Sequence, residues 1–314
     1  VVARGDSVVH HAQQHPPIVA LDSFSQANCK MASRREQLPF KKQDKRACFC
    51  GRLNADIGKV IMYGGLVPGS IQQRRVSMKV TVVIDNAVPP SIRGPFVAEH
   101  GLSLLIENDG KRILFDTGQS GAVVNNLSLL GVHPASLDAV VLSHGHYDHV
   151  GGLMRVLQHA AKPMPVYAHP DIFQTRISTA GNRHFIGIPF TEPQLSNLGA
   201  QWVLSKQPVE IIPGLWFSGE IPRQTDYEKG DTRLLTCESD GCCHEDPILD
   251  DISLFHASAQ GLRVIGGGTH LAPVSAEQQN ETMDAVAGFV PELIAANHCT
   301  GFAMMAALLA RFGD

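Results

Sequence analysis

Long apolar runs are missing from this chain of 314 residues. Every hydrophobic stretch is broken by glycine, proline or charge well short of the roughly 18 residues a membrane-spanning helix needs. A content of 44% hydrophobic residues still permits a substantial core, so a soluble globular protein with no membrane partner is expected. Residues 1–25 lack the basic start and apolar segment of a secretory leader, and a cytoplasmic setting is expected. Cysteine is sparse and odd in number, seven in all, which excludes a disulfide-dense scaffold and predicts mostly reduced thiols. Cys237 with Cys242-Cys243-His244 has no second C-x-x-C partner, so an ordinary loop of reduced thiols is favoured over a structural metal site. Cys48 and Cys50 carry a weaker signal still.

Charge is unevenly spread. Residues 1–77 hold 12 Lys and Arg against 5 Asp and Glu, whereas residues 78–314 hold 14 against 25. A basic arm suits an acidic partner, but this one has no interleaved aromatics, so a flexible or non-native extension is expected and a nucleic-acid partner is not. Its stretches show neither a 2-residue nor a 3.6-residue period, and Arg4-Gly5-Asp6 reads as chance. Order begins at Met78, which marks the expected start of a domain spanning 78–314.

From there the pattern is strand-rich. Lys79 to Ile84 is dominated by β-branched residues, and Leu102 to Glu107 and Lys111 to Asp116 flank Asn108-Asp109-Gly110, which predicts a hairpin. Ser120 to Leu130 reads as a helix closed by Gly131, Ala139 to Leu142 as a strand, and Val150 to Ala161 as the next helix. Hairpins followed by alternating strands and helices predict a layered α/β domain.

The densest chemical signal is Ser143-His144-Gly145-His146-Tyr147-Asp148-His149, set between a predicted strand and a predicted helix. Four imidazole or carboxylate groups fall within six residues, and the absence of cysteine points to a catalytic rather than a structural site. His144 and His146, two apart on an extended loop, suit one ion, while Asp148 and His149 turn toward a neighbour. Two such ions, roughly 3.5–4 Å apart, would lower the pKa of a shared water and stabilise an oxyanion. Zinc fits these donors best, and iron or manganese would also be accepted.

Phe115-Asp116-Thr117-Gly118, then the His-rich segment, then a late histidine after a strand resemble the metallo-β-lactamase superfamily across nearly all of 78–314. Ala98-Glu99-His100-Gly101-Leu102-Ser103, Gly219-Glu220-Ile221-Pro222-Arg223, Gly267-Gly268-Thr269-His270-Leu271 and His298-Cys299-Thr300-Gly301 are similar to one branch, the 7,8-dihydropterin-6-yl-methyl-4-(β-D-ribofuranosyl)aminobenzene 5'-phosphate synthases. The resemblance implies a four-layer αββα sandwich of α/β (α+β) class. It implies that Asp116 supports the metal site without touching the metal, and that His298 is the final ligand.

The resemblance also implies two glycine-containing segments ending in histidine between the last strands, and this chain has one. Either His270 moves into the missing ligand's place, the favoured resolution, or the site binds metal with reduced occupancy. His256, read as part of a strand from Ile252 to Phe255, and His244 are fallback ligands. Arg223 suits a phosphate or carboxylate, or else a surface ion pair; Glu99 and His100 suit either the substrate pocket or turn capping. One of Asp250 and Asp251 could help to position the site. The expected activity is metal-dependent hydrolysis of a small-molecule phosphoester, lactone or amide-like bond by a metal-bound hydroxide, with Asp148 as the catalytic carboxylate. The alternatives are dihydropterin transfer to a ribofuranosylaminobenzene phosphate, and a degenerate metal-binding protein.

Overall fold

The computed structural model describes residues 78–312 except Lys229, Ala259, Gln260 and Glu292. The basic arm, its boundary at 77/78, Cys48, Cys50 and Arg4-Gly5-Asp6 lie outside the described residues. In chain order the strands are β1 Lys79–Ile84, β2 Ser103–Asn108, β3 Lys111–Phe115, β4 Ala139–Val141, β5 Met164–Ala168, β6 Thr175–Ser178, β7 His184–Phe185, β8 Ala200–Leu204, β9 Val209–Ile212, β10 Leu215–Phe217, β11 Leu234–Cys237, β12 Cys243–Glu245, β13 Ser253–Ser258 and β14 Gly261–Gly266. The helices are α1 Ala122–Leu129, α2 Tyr147–Val150, α3 Leu153–Ala160, α4 Glu192–Asn197, α5 Ala276–Gly288 and α6 Phe302–Phe312.

Among the described residues three sheets result, ordered β1-β2-β3-β4-β5-β8, β14-β13-β10-β9 and β12-β11-β6-β7. The β2–β3 hairpin forms where Asn108-Asp109-Gly110 predicts it, with φ of +49° at Asp109 and +75° at Gly110, the left-handed pair that matches strand twist. Strands β3, β4, β5 and β8 then run parallel, so their carboxyl ends open onto one edge.

The first sheet is apolar on both faces because both are covered. Leu105, Leu114 and Val140 on one face pack with Val123 and Leu127 of α1, Val156 and Leu157 of α3 and Leu195 of α4. Leu104, Ile106, Phe115 and Val141 on the other meet Leu215, Phe217 and Leu254 of the second sheet. Helices α5 and α6 share a smaller core of Leu271, Met283, Met304 and Leu308. Strand β14 closes the second sheet with Leu262 and Val264 exposed, and leads straight into Gly267 and His270. This is the shortened connection visible in the sequence.

Three local expectations change. The helix predicted over 150–161 is present as α3 but begins at Leu153, after the separate turn α2; between them a Cβ on Gly151 or Gly152 would come within 2.1 Å of the carbonyl oxygen of Gln119 or Thr117. The backbone of 117–119 therefore crosses the helix path at the two glycines. The strand holding His256 extends to Ser258. The cysteine loop is a hairpin: Cys237 and Cys243 are directly paired across β11 and β12 and joined as a disulfide, not reduced thiols.

Asn126 of α1 ties this layer to the segment that enters the site. Its Nδ2 donates to the carbonyls of Val83 and Val97, both at 2.8 Å, and its Oδ1 accepts the Val97 N–H at 3.0 Å. Replacement by alanine leaves the buried Val83 carbonyl and the part-buried Val97 groups without this partner. Asn126→Ala is expected to lower unfolding free energy by about 2–4 kcal/mol, read from the denaturant midpoint.

Candidate metal centre

Strand β4 ends at Val141, the chain bends through Ser143, His144 and Gly145, and His146 is extended (φ −83°, ψ 144°) before α2 begins. The bend brings His144 and His146 to one place, and the helical turn carries Asp148 and His149 to another. His144 Nε2 lies 3.0 Å from His146 Nδ1, and the His270 ring stands 5.1 Å from that of His144 and 5.9 Å from that of His146. Among the described residues, His146 Nε2 and His270 Nε2 are buried without a hydrogen-bond partner.

The second grouping is tighter. His149 Nδ1 donates to Asp116 Oδ2 at 2.8 Å, and His298 Nδ1 donates to Asn86 Oδ1 at 3.0 Å. That Asn86 oxygen also accepts the Gly101 N–H, which fixes it as an acceptor. With both Nδ1 atoms turned outward, His149 Nε2 and His298 Nε2 face one another at 3.1 Å, and Asp148 Oδ2 is 3.2 Å from His298 Nε2. His100 Nε2 approaches the same oxygen at 3.2 Å, so His100, Asp148 and His298 form a three-donor cluster. Lone pairs converging in a buried place repel unless a positive charge lies between them. The donor set and the two orphaned nitrogens thus fit metal ions of the kind expected.

Asp116 organises this loop. It is fully buried at φ +59°, and its Oδ1 accepts the Ser143 N–H at 2.7 Å while Oδ2 accepts the Ser143 hydroxyl at 2.7 Å and His149 Nδ1. Thr117 N–H and hydroxyl both donate to the His149 carbonyl.

Burial, reinforced by His149 and other neighbouring cations, pushes His144 well below its usual pKa; burial and His270 do the same for His146. Burial and His149 bring His270 down to about 4. These three rings are held in the neutral, ligating form. For His149, burial opposes charge but Asp116 and Asp148 outweigh it, raising the pKa. For Asp148, burial is outweighed by His149 and His298, and the carboxyl stays below its usual range.

The other expected residues divide. Glu99 is not a pocket residue: its carboxylate accepts the N–H groups of Gln119 and Ser120 at 3.0 Å and the Ser120 hydroxyl, and so clamps that loop. His100 lines the cleft and also approaches Asp148 Oδ2 in the three-donor cluster. Arg223 is exposed, makes no ion pair among the described residues, and lies close enough to Asp251 and His270 to act on both electrostatically. His256 sits in β13 opposite Leu215, and His244 is exposed on β12 opposite Thr236, so neither fallback ligand joins the cluster. Asp85 and Asn86, which grip the backbone and ring of His298, carry no sequence signal beyond a strand end. A cleft of roughly 380 Å³ opens beside the histidines, walled by Tyr147, Ser178, His184, Asp231, Leu234 and Pro273 among others.

This arrangement of paired sheets, helical cover and a His-rich loop at the strand ends is matched among solved structures by a metal-dependent hydrolase of the beta-lactamase superfamily. The TM-score is 0.62 at 23% identity, covering 76% of this chain and 94% of that one. The pattern of the metallo-beta-lactamase superfamily matches residues 97–219. A 7,8-dihydropterin-6-methyl-4-(beta-D-ribofuranosyl)-aminobenzene-5'-phosphate synthase of Methanocaldococcus jannaschii is 31% identical over 244 residues, covering 66% of this chain and 83% of the relative. An uncharacterized protein of the same organism is 31% identical over 246 residues, covering 71% and 91%. The chain belongs to the metallo-β-lactamase superfamily, in the branch that resembles the dihydropterin synthase.

Asp116→Asn replaces an acceptor by an amide that opposes the Ser143 or His149 donor. It is expected to weaken metal binding about 10- to 100-fold while the protein remains folded, measured by chelator competition alongside circular dichroism.

Proposed function

We propose that the protein is a metal-dependent hydrolase of a small-molecule phosphoester, lactone or amide-like bond. The observation that carries this reading is the convergence of His149, His298 and Asp148 on one point beside the His144, His146 and His270 group, at the edge of an open cleft. In this reading His144, His146 and His270 hold one ion. His149, His298 and Asp148 hold a second, with His100 as a further donor. Zinc best suits the all-imidazole and carboxylate donors. When bound, such ions supply Lewis acidity, making water nucleophilic near pH 7 and stabilising oxyanion charge.

The chain's own groups do the rest. Asp148, held as an anion, is placed to orient the attacking water. Asp116 and Asn86 fix His149 and His298 so that neither ring turns during turnover. The cleft wall selects the substrate by shape, with Tyr147 as its hydroxyl-bearing aromatic ring. A cytoplasmic setting remains part of this proposal.

The identity to the synthase of M. jannaschii favours a second reading, transfer of a dihydropterin unit to a ribofuranosylaminobenzene phosphate. A flat pterin calls for stacking rings and the phosphate for a cation. Tyr147 is the single Phe, Tyr or Trp of the cleft wall, and the wall holds no Lys or Arg among the described residues, which supports the hydrolase reading over this one.

Purified protein is expected to carry about two zinc ions per chain, and His270→Ala about one, by elemental analysis. A zinc-loaded protein inert toward esters, lactones and phosphodiesters overturns the hydrolase, and pterin binding by calorimetry then favours the synthase. Fewer than one ion per chain, unchanged in His270→Ala, makes it a degenerate metal binder.

A further inference from the structure

Arg176 of β6 is among the most completely buried side chains, only 1% exposed, and nothing in the proposed chemistry uses it. Burying a guanidinium costs several kcal/mol unless it is paired and hydrogen-bonded, and replacing a buried ion pair by apolar residues is often neutral. Stability alone is therefore a weak reason to keep it. Its contacts point to another. Nε donates to Asp246 Oδ2 at 2.8 Å, Nη2 pairs with Asp250 Oδ1 at 2.7 Å, and the carbonyls of Asp171 and Ile172 lie at 3.4 and 3.5 Å. Asp246 is itself held by the Ile248 N–H at 2.8 Å.

The other oxygen of Asp250 reaches the metal loop. Its Oδ2 accepts the N–H of Gly145 at 2.8 Å, and two residues later the Ile252 N–H donates to the Ser143 carbonyl at 2.9 Å. The segment 250–252 thus grips the backbone on both sides of His144. From below, a Cβ on Gly145 would stand 2.4 Å from Arg176 Nη1 and 2.2 Å from the Ile172 carbonyl oxygen. The guanidinium and that carbonyl are the floor on which the His144-Gly145-His146 turn rests. Only glycine fits there.

We infer that Arg176 and Asp250 are positioning residues for metal capture: together they hold the Gly145 peptide so that His144 and His146 present their nitrogens to one ion. This rests on the proposal that His144 and His146 bind metal. The device also joins metal to substrate, because Ser178, two residues along β6 from Arg176, lines the cleft. Lysine cannot replace Arg176, since a point cation lacks the planar fork that serves two carboxylates at once.

The test uses the full chain, stripped of metal and titrated with Co²⁺ alone, comparing the wild type with Asp250→Asn, Arg176→Lys and Arg176→Met. In Asp250→Asn the amide satisfies either Gly145 or Arg176 but opposes the other. Expected is a folded protein whose tighter Co²⁺ site is weakened about 10- to 100-fold, with an altered visible d–d spectrum. Arg176→Lys is expected to show the same loss in smaller measure and Arg176→Met in full. If Arg176→Met does not fold, Asp250→Asn decides. Wild-type affinity and spectrum in folded Asp250→Asn, with only the metal-free melting temperature lowered, assigns the network to stability and overturns the inference. A wild type that takes up no Co²⁺ overturns the metal reading itself, and this inference with it.

Discussion

Asp116 is fully buried, and its carboxylate is tolerable there because donors from the next loop come to it. The Ser143 N–H, the Ser143 hydroxyl and the His149 ring each donate at 2.7–2.8 Å. Hydrogen bonds to a buried charge contribute roughly 1.5–3 kcal/mol each, so this one anion binds the end of β3 to the His-rich loop after β4. The geometry downstream follows from it. His149 loses its rotational freedom and its Nδ1, so Nε2 is aimed at His298. The backbone of α2 is pinned by Thr117 at the same time.

Electrostatics in the centre are set by an imbalance that the protein does not neutralise with its own cations. His144, His146 and His270 are kept neutral mainly by burial, whereas the carboxylates of Asp116 and Asp148 draw positive charge toward His149. Neutral rings and an ionised carboxylate are the forms that ligate metal, so His144, His146, His270 and Asp148 are kept binding-competent, whereas His149 is pushed toward its charged form. Nearby cations are confined to other tasks. Arg176 is paired beneath the loop, and Arg223 stays in solvent.

The C-terminal half shows how a shortened connection is absorbed. With β14 leading directly into Gly267 and Gly268, His270 takes a left-handed backbone at φ +47° and packs its ring against His144 and His146. Cys299 supports the turn, its sulfur lying 3.2 Å from the Thr269 N–H and 3.4 Å from that of His270. Strand β14 is left with Leu262 and Val264 turned to solvent.

What the sequence alone determined was whatever is encoded by near neighbours. The hairpin at Asp109-Gly110, the turn carrying Asp148 and His149, and the apolar, β-branched strands of the first sheet depend on local dihedral preference and composition. The donor types of the metal loop are equally local, because ligand chemistry is a property of side chains. Tertiary structure alone decided which distant groups meet them. The division of α2 from α3, the pairing of Cys237 with Cys243, the diversion of Glu99 to the Gln119 and Ser120 amides, and the arrival of His100 beside Asp148 all depend on contacts between elements far apart in the chain. Arg176 is the clearest case. An arginine on a short strand reads as a solvated surface residue, and only the packing of Asp246, Asp250 and Gly145 around it supplies the partners that make its burial possible.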